Sequence, residues 1–202
     1  MDKGVVKELL SSKRPRRMMA GGSVEVALDG QFFSGSADIR SFGDTVFKIN
    51  VYSILGASVL QFDCGSERAD VMFQDSNFQI DKSDTMDQLP YEWAKRITVE
   101  QFIGFLQSNF EMLDIIKKYK PQFLEGKRDV KLIWEDSVSR AQLVIHKRTG
   151  SIAALLIQPD KNALSDIRIS DFSGATARKY KFFDDNRNYF SIHYDKVRFY
   201  DE

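Results

Sequence analysis

The sequence predicts a mainly β domain, an antiparallel half-open barrel of about eleven strands covered by helices inserted after the fifth. Three observations carry this prediction. Apolar and polar residues alternate over most of residues 23–200, which is the period of a strand with one buried face. Turn signals such as Asp29-Gly30 and Gly43-Asp44 separate the alternating runs at short intervals. A single segment, from Thr98 to Ile116, switches to helical spacing and is dense in Phe, Leu and Ile.

Residues 1–22 read as a short helix and a basic linker, followed by one domain over 23–202. Val5, Val6, Leu9 and Leu10 form an apolar stripe, and Lys13-Arg14-Pro15-Arg16-Arg17 ends it. This basic run reads as a solvated linker, with contact to anionic lipid headgroups as the alternative. From Ser23 the period becomes two. Val24, Val26 and Leu28 alternate up to the Asp29-Gly30 turn, and Phe33, Gly35, Ala37 and Ile39 form the next run. Thr45, Phe47, Ile49 and Val51 follow, then Ser58, Leu60, Phe62 and Cys64, then Val71 and Phe73. Connections this short pair neighbouring strands as an antiparallel meander.

Thr98-Val99-Glu100-Gln101 has the form of a capping box. It opens a helical hairpin or bent helix through Phe102, Ile103, Phe105, Leu106, Phe110 and Ile116, which Tyr119-Lys120-Pro121 closes. Alternation then resumes in Val130 to Trp134 and Ala141 to Ile145. Lys147-Arg148-Thr149-Gly150 forms a hairpin turn to Ile152–Ile157. Ile167 and Ile169 lie in a further strand. Tyr180–Phe183 and Tyr189–Phe199 form a last hairpin around residues 184–188.

A chain of 202 residues buries enough surface to fold without a staple, and its lone Cys64 excludes an internal disulfide and Cys-based zinc sites. The 29 basic and 29 acidic residues cancel, which argues against nucleic acid as a partner. No stretch approaches the roughly 20 apolar residues of a membrane-spanning helix. Met1-Asp2-Lys3-Gly4 lacks the apolar region of a signal peptide. The sequence is therefore read as a cytosolic protein, or as a mature form with a start Met added.

Chemistry is sparse. His146 and His193 lie in alternating strand patterns, where sheet-face roles outweigh catalysis. Gly21-Gly22-Ser23 precedes a strand, which is the wrong order for a phosphate loop. Asp160 with Asp166, and Asp184 with Asp185, read as solvated turn residues rather than a glycosidase pair. Cys64 is in phase with Leu60 and Phe62 and reads as a small core residue. The chain is thus expected to be no enzyme, with no cofactor and no metal. Abundant aromatic residues, 16 Phe among them, suit a sheet whose concave face is covered by the helical segment. That face either packs solid or shelters an acyl chain, for which roughly fifteen methylenes contribute on the order of 12 kcal/mol.

Gly35-Ser36-Ala37-Asp38-Ile39-Arg40, Gly43-Asp44 and Ile54-Leu55-Gly56-Ala57 resemble the N-terminal half of LolB, in the LolA/LolB superfamily of lipoprotein-localisation factors. Thr98 to Leu113 is similar to that family's helical segment, and Ser170-Asp171-Phe172, Arg178-Lys179-Tyr180-Lys181 and Ile192–Phe199 to its closing strands. The resemblance implies a receptor for the acyl chains of lipoproteins or lipids, associated with the outer membrane on its periplasmic side. Its signal peptide and lipid anchor would have been removed. It implies a membrane surface and a periplasmic carrier as partners. Acyl chains would lie among Phe33, Phe47, Ile49, Leu60, Phe62, Phe73, Phe102 and Phe105, while Ile54 and Leu55 engage the membrane. Ile54 stands where the family has Pro, and no lipidated N-terminal Cys is present. The alternative is an envelope scaffold on the same fold, its cavity filled by side chains.

Overall fold

A computed structural model describes residues 17–43, 46–73, 76–110, 113–163, 165–173, 176–184 and 187–200. The expected N-terminal helix, the basic run up to Arg16, and the turn residues Asp44, Thr45, Asp185 and Asn186 lie outside the described residues. The first half of the chain forms β1 (Arg17–Leu28), β2 (Gln31–Phe42), β3 (Val46–Ser53), β4 (Ser58–Cys64), β5 (Arg68–Phe73) and β6 (Ser76–Asp81). A long segment then crosses the sheet, carrying a 3₁₀ turn (Ala94–Arg96) and the helices α1 (Val99–Leu106) and α2 (Asp114–Lys118). The chain returns through β7 (Gln122–Glu125), β8 (Asp129–Glu135), β9 (Arg140–His146), β10 (Ile152–Gln158), β11 (Asp166–Ser173), β12 (Thr176–Phe183) and β13 (Tyr189–Tyr200).

All thirteen described strands belong to one antiparallel sheet, in the order β6-β5-β4-β3-β2-β1-β13-β12-β11-β10-β9-β8-β7. Every neighbour is sequential except one pair, β1 with β13, which joins the two halves. The helical segment links the two edge strands, β6 and β7, and lies over the face between them. Period-two patterning sorts the faces: in β4, Leu60, Phe62 and Cys64 are buried while Gln61 and Asp63 are exposed. The concave face carries the core and the convex face meets water.

Local chemistry sets the turns and caps. Asp29 and Gly30 have φ of 49° and 80°, the two left-handed residues of a hairpin turn whose twist matches the sheet. At α1, the Thr98 hydroxyl accepts from the Gln101 N–H at 3.2 Å, and the Gln101 side chain accepts from the Thr98 N–H at 3.0 Å, which is the capping box expected from the sequence. The Lys147–Gly150 turn and the closing hairpin also lie where the pattern puts them.

Three expectations are corrected. Among the described residues there are thirteen strands rather than eleven, and the helices follow the sixth strand rather than the fifth. The two additional strands are the sheet edges. β6 buries only Ile80 fully, and all four residues of β7 are exposed, so neither carries a legible alternation. β1 also starts at Arg17 rather than Ser23, placing residues 17–22 in the sheet instead of a linker. Met18 and Ala20 do alternate inward there, but the basic run and Gly21-Gly22 disguise them.

Those glycines lie at a bulge in the β1–β13 pairing. A Cβ on Gly22 would sit 1.9 Å from the His193 carbonyl oxygen, so the two backbones can approach only because the side chain is absent. Gly22→Ala should therefore destabilise the fold by roughly 1–3 kcal/mol, read as a lower urea midpoint; an unchanged midpoint would show that the junction tolerates a side chain.

Candidate functional site

The inward residues of the central strands meet α1 in a chain of aromatic contacts. Phe47 lies edge-on to Phe62 at 6.4 Å between ring centroids, and Phe62 to Phe102 at 5.8 Å. Phe102 and Phe105 of α1 then meet Phe182 at 5.3 and 6.4 Å. Of the residues expected to form an apolar cavity, Phe47, Ile49, Leu60, Phe62, Phe102 and Phe105 are buried in this one cluster, and Phe33 and Phe73 pack against it as partly buried members. The structure brings all eight to the concave side.

The centre of that face is occupied by a residue that periodicity does not single out. Trp93, 2% exposed, sits 4.8 Å from Phe182, 5.4 Å from Tyr91, 5.9 Å from Phe102 and 6.3 Å from Phe190. Its position is set by Asp184, whose carboxylate accepts from the Glu92 N–H at 2.9 Å and the Trp93 N–H at 2.6 Å. Asp184 is therefore buried, not the solvated turn residue its sequence context predicts. The Tyr91 hydroxyl and Trp93 indole N–H are buried and have no hydrogen-bond partner among the described residues, which costs about 1–3 kcal/mol each. Burial, with the Asp184 and Asp29 charges, pushes the Tyr91 phenol upward. A Pro90-Tyr91-Glu92-Trp93 run between a strand and a helix is the only sequence signal for this insert.

The end of α1 is fastened to the opposite half of the sheet. The Tyr180 hydroxyl donates to the Ala177 carbonyl at 2.9 Å, and the Ser108 hydroxyl oxygen accepts from the Ala177 N–H at 2.9 Å. The Ser108 proton is then left to donate to the Tyr180 oxygen, 2.8 Å away. Tyr194 donates to the Leu106 carbonyl at 3.0 Å. Burial raises the pKa of both phenols.

The β3–β4 loop is the second feature. Ile54 is 82% and Leu55 95% exposed, yet the loop beneath them is well bonded. The Gly56 N–H donates to the Ser53 carbonyl and the Ser53 N–H to the Ala57 carbonyl, each at 2.8 Å. The Ala57 N–H reaches the Ser53 hydroxyl at 3.0 Å. The apolar tip is thus held out by a defined turn. Phe33 and Phe73 lie toward the same end of the sheet, since Gly35 pairs with Ser53 and Phe73 with Leu60.

An opening of about 320 Å³ lies where α1 and α2 meet the β8–β10 side, lined by Ile97, Phe105, Leu113, Ile115 and Ile157 with Arg96 and Arg140 among its polar residues. This is at the lower end of ligand-pocket volumes, roughly 300–1,000 Å³. Arg96 is paired with Asp160 at 3.2 Å, and Arg140 lies 3.9 Å from Glu135. A larger, polar hollow of about 620 Å³ lies beside β6, lined by Arg68, Asp81, Asp84 and Asp87.

The two histidines are surface groups, His146 against Asp129 at 2.6 Å and His193 against Asp171 at 3.1 Å. Cys64 is buried, which raises its thiol pKa and makes it a poor nucleophile. Among the described residues no cluster of three His, Cys, Asp or Glu could hold a metal ion. No described helix is long and apolar enough to cross a membrane.

This open antiparallel sheet with helices over its concave face is similar in fold to several solved structures. A LolA superfamily protein from Nitrosomonas europaea superimposes with a TM-score of 0.55 at 8% identity, covering 99% of this chain and 94% of that one. A putative outer membrane lipoprotein-sorting protein domain from Vibrio parahaemolyticus gives 0.57 at 9% identity, covering 97% and 91%. A DUF1329 family protein from Desulfovibrio piger gives 0.54 at 11% identity, covering 97% and 90%. No family model matches the sequence, and no curated protein matches it. At these identities the likeness is one of fold.

The buried phenols predict alkaline sensitivity. Their folded pKa values lie above that of free tyrosine, so the neutral form is favoured in the fold. Their contribution is complete below about pH 10, the unfolded value, and is lost as pH rises through the folded values. Urea midpoints should hold up to about pH 10 and fall beyond it, and Tyr180→Phe should reduce that fall.

Proposed function

We propose that this protein receives the acyl chains of lipoproteins or lipids and helps deliver or anchor them at the outer membrane, as a non-catalytic, LolB-like protein of the periplasm. The observation that carries this reading is the Ile54-Leu55 tip. A pair of large apolar side chains held in water by a hydrogen-bonded turn is a cost that contact with lipid removes. The Phe-rich concave face beneath α1 supports it, because an acyl chain needs apolar walls and no catalytic groups.

In this mechanism the helical segment is the movable wall. Ile49 pairs with Phe62 across the sheet, Phe62 lies against Phe102 and Phe102 against Trp93, so a chain enters only as α1 and the Trp93 loop swing away from the sheet. The opening beside Phe105 and Leu113 is where that movement begins. Leu55, at the far end of β3, then inserts into the receiving bilayer and gives the released chains an apolar path. A periplasmic carrier is the donor.

The second reading is an envelope scaffold whose cavity is permanently filled, and one observation favours it: the packing of Trp93 against Tyr91, Phe102, Phe182 and Phe190 leaves the centre of the face occupied.

Binding of a fluorescent triacylated lipopeptide separates the two. The intact chain should bind, and Leu55→Glu should bind equally while transfer to liposomes falls about tenfold, the effect of roughly 1.4 kcal/mol. In a Trp134→Phe background, lipopeptide should also change the emission of the remaining Trp93. Absence of both binding and any emission change would establish the filled-cavity scaffold instead.

A further inference from the structure

The convex face carries a second surface, at the end of the sheet opposite Leu55. Paired residues of antiparallel strands project to the same side, so the register aligns outward side chains into rows. One row holds Phe42, Arg17 and Tyr200. The next holds Lys48, Arg40, Met19 and Arg198. Met19, Phe42 and Tyr200 are all exposed, so apolar and cationic groups interleave on the outside of the β3–β2–β1–β13 junction.

The charge there is unbalanced. Lys48 is paired with Asp63 at 2.8 Å, and the Arg17 guanidinium lies 5.7 Å from the centre of the Phe42 ring. Arg40 and Arg198 have no carboxylate partner among the described residues. Lys196 faces Gly21 one row further on, with Asp38 beside it. In sequence, Lys13-Arg14-Pro15-Arg16 runs directly into Arg17, and Asp201-Glu202 follows Tyr200. Among the described residues of these rows, Arg17, Arg40, Lys48, Lys196 and Arg198 outnumber Asp38 and Asp63, although the chain as a whole is neutral.

We propose that this end of the convex face docks on an anionic lipid bilayer. Arginines sit against headgroups, each cation adding about 1 kcal/mol near such a surface, while Met19, Phe42 and Tyr200 occupy the interfacial zone where amphipathic and aromatic side chains settle. A nucleic acid would meet the same charges, but the interleaved Met19 and Phe42 on a convex sheet favour a bilayer. Along β3 the Phe42 row, paired with Val46, lies about 23 Å from the Leu55 loop and the Lys48 row about 17 Å from it. It is therefore a membrane contact distinct from the tip and independent of what the concave face holds.

Flotation of the full chain with vesicles tests the assignment. Binding should require phosphatidylglycerol mixed into phosphatidylcholine and should weaken in high salt. Arg40→Gln combined with Arg198→Gln should reduce it by roughly tenfold to thirtyfold, whereas Arg40→Lys with Arg198→Lys should leave it nearly intact. These positions are exposed, and unchanged circular dichroism establishes that each variant folds. Equal flotation with pure phosphatidylcholine, parental affinity in the double Gln variant, or stronger retention by single-stranded RNA than by anionic vesicles would overturn it. Loss confined to Leu55→Glu would assign membrane contact to the tip alone. None of these outcomes depends on lipopeptide binding.

Discussion

The pairing of β1 with β13 is the constraint on which the rest of the architecture depends. Every other pairing in the sheet is between strands adjacent in sequence, and a short connection nearly guarantees it. The β1–β13 ladder instead joins residues separated by most of the chain, and its loop-closure entropy must be repaid by the contacts it creates. Those contacts turn two meanders into one curved surface with a shared core. Without them, Phe62 from the first half would have no fixed relation to Phe182 and Phe190 from the second, and α1 would have no concavity to cover. The missing side chain at Gly22 matters because it lies in this ladder, where the backbones come too close for a Cβ.

A second layer of organisation hangs from the concave face. The crossing segment is held at one end by the Thr98 capping box and at the other by Ser108, Tyr180 and Tyr194. Between strand and helix, Asp184 grips the backbone at Glu92 and Trp93. A carboxylate from the β12–β13 hairpin thereby positions an aromatic side chain that precedes α1 by a few residues. Bonding of this kind gives one defined arrangement to a face that could otherwise be covered by any oily helix. The indole and phenol groups of Trp93 and Tyr91, without a partner among the described residues, set a standing cost against that arrangement.

How much of this was legible in the sequence depends on which physics wrote each part. Strands with one wet face record their fold in alternation, and β2 to β5 and β8 to β13 were readable for that reason. The capping box and the Asp29-Gly30 turn are local chemistry and were equally plain. β6 and β7 were not, because an edge strand with little buried surface has no pattern to display. Asp184 was misread because its partners are backbone amides more than ninety residues away, and a carboxylate after a strand looks like any turn residue. Trp93 was overlooked for a related reason: its segment is neither helical nor extended over enough residues to show a period. Six of the eight apolar residues named for the concave face came together because strand parity dictates their side of the sheet, and Phe102 and Phe105 join them from the buried face of α1.

A half-barrel left open has two unpaired backbone edges, and such edges recruit strands from other molecules unless something prevents it. At β7 Phe123 and Leu124, on opposite faces of the strand, are both exposed, which makes the hazard real. The safeguard lies in brevity and in the neighbours. Pro121 has no N–H to offer, Lys120 sits just before it, and Glu125, bonded to Lys147 across the sheet, closes a strand of only four residues. A foreign chain finds too short a ladder to bind and charged groups flanking it. Both features work against growth of the sheet from this edge into a fibre.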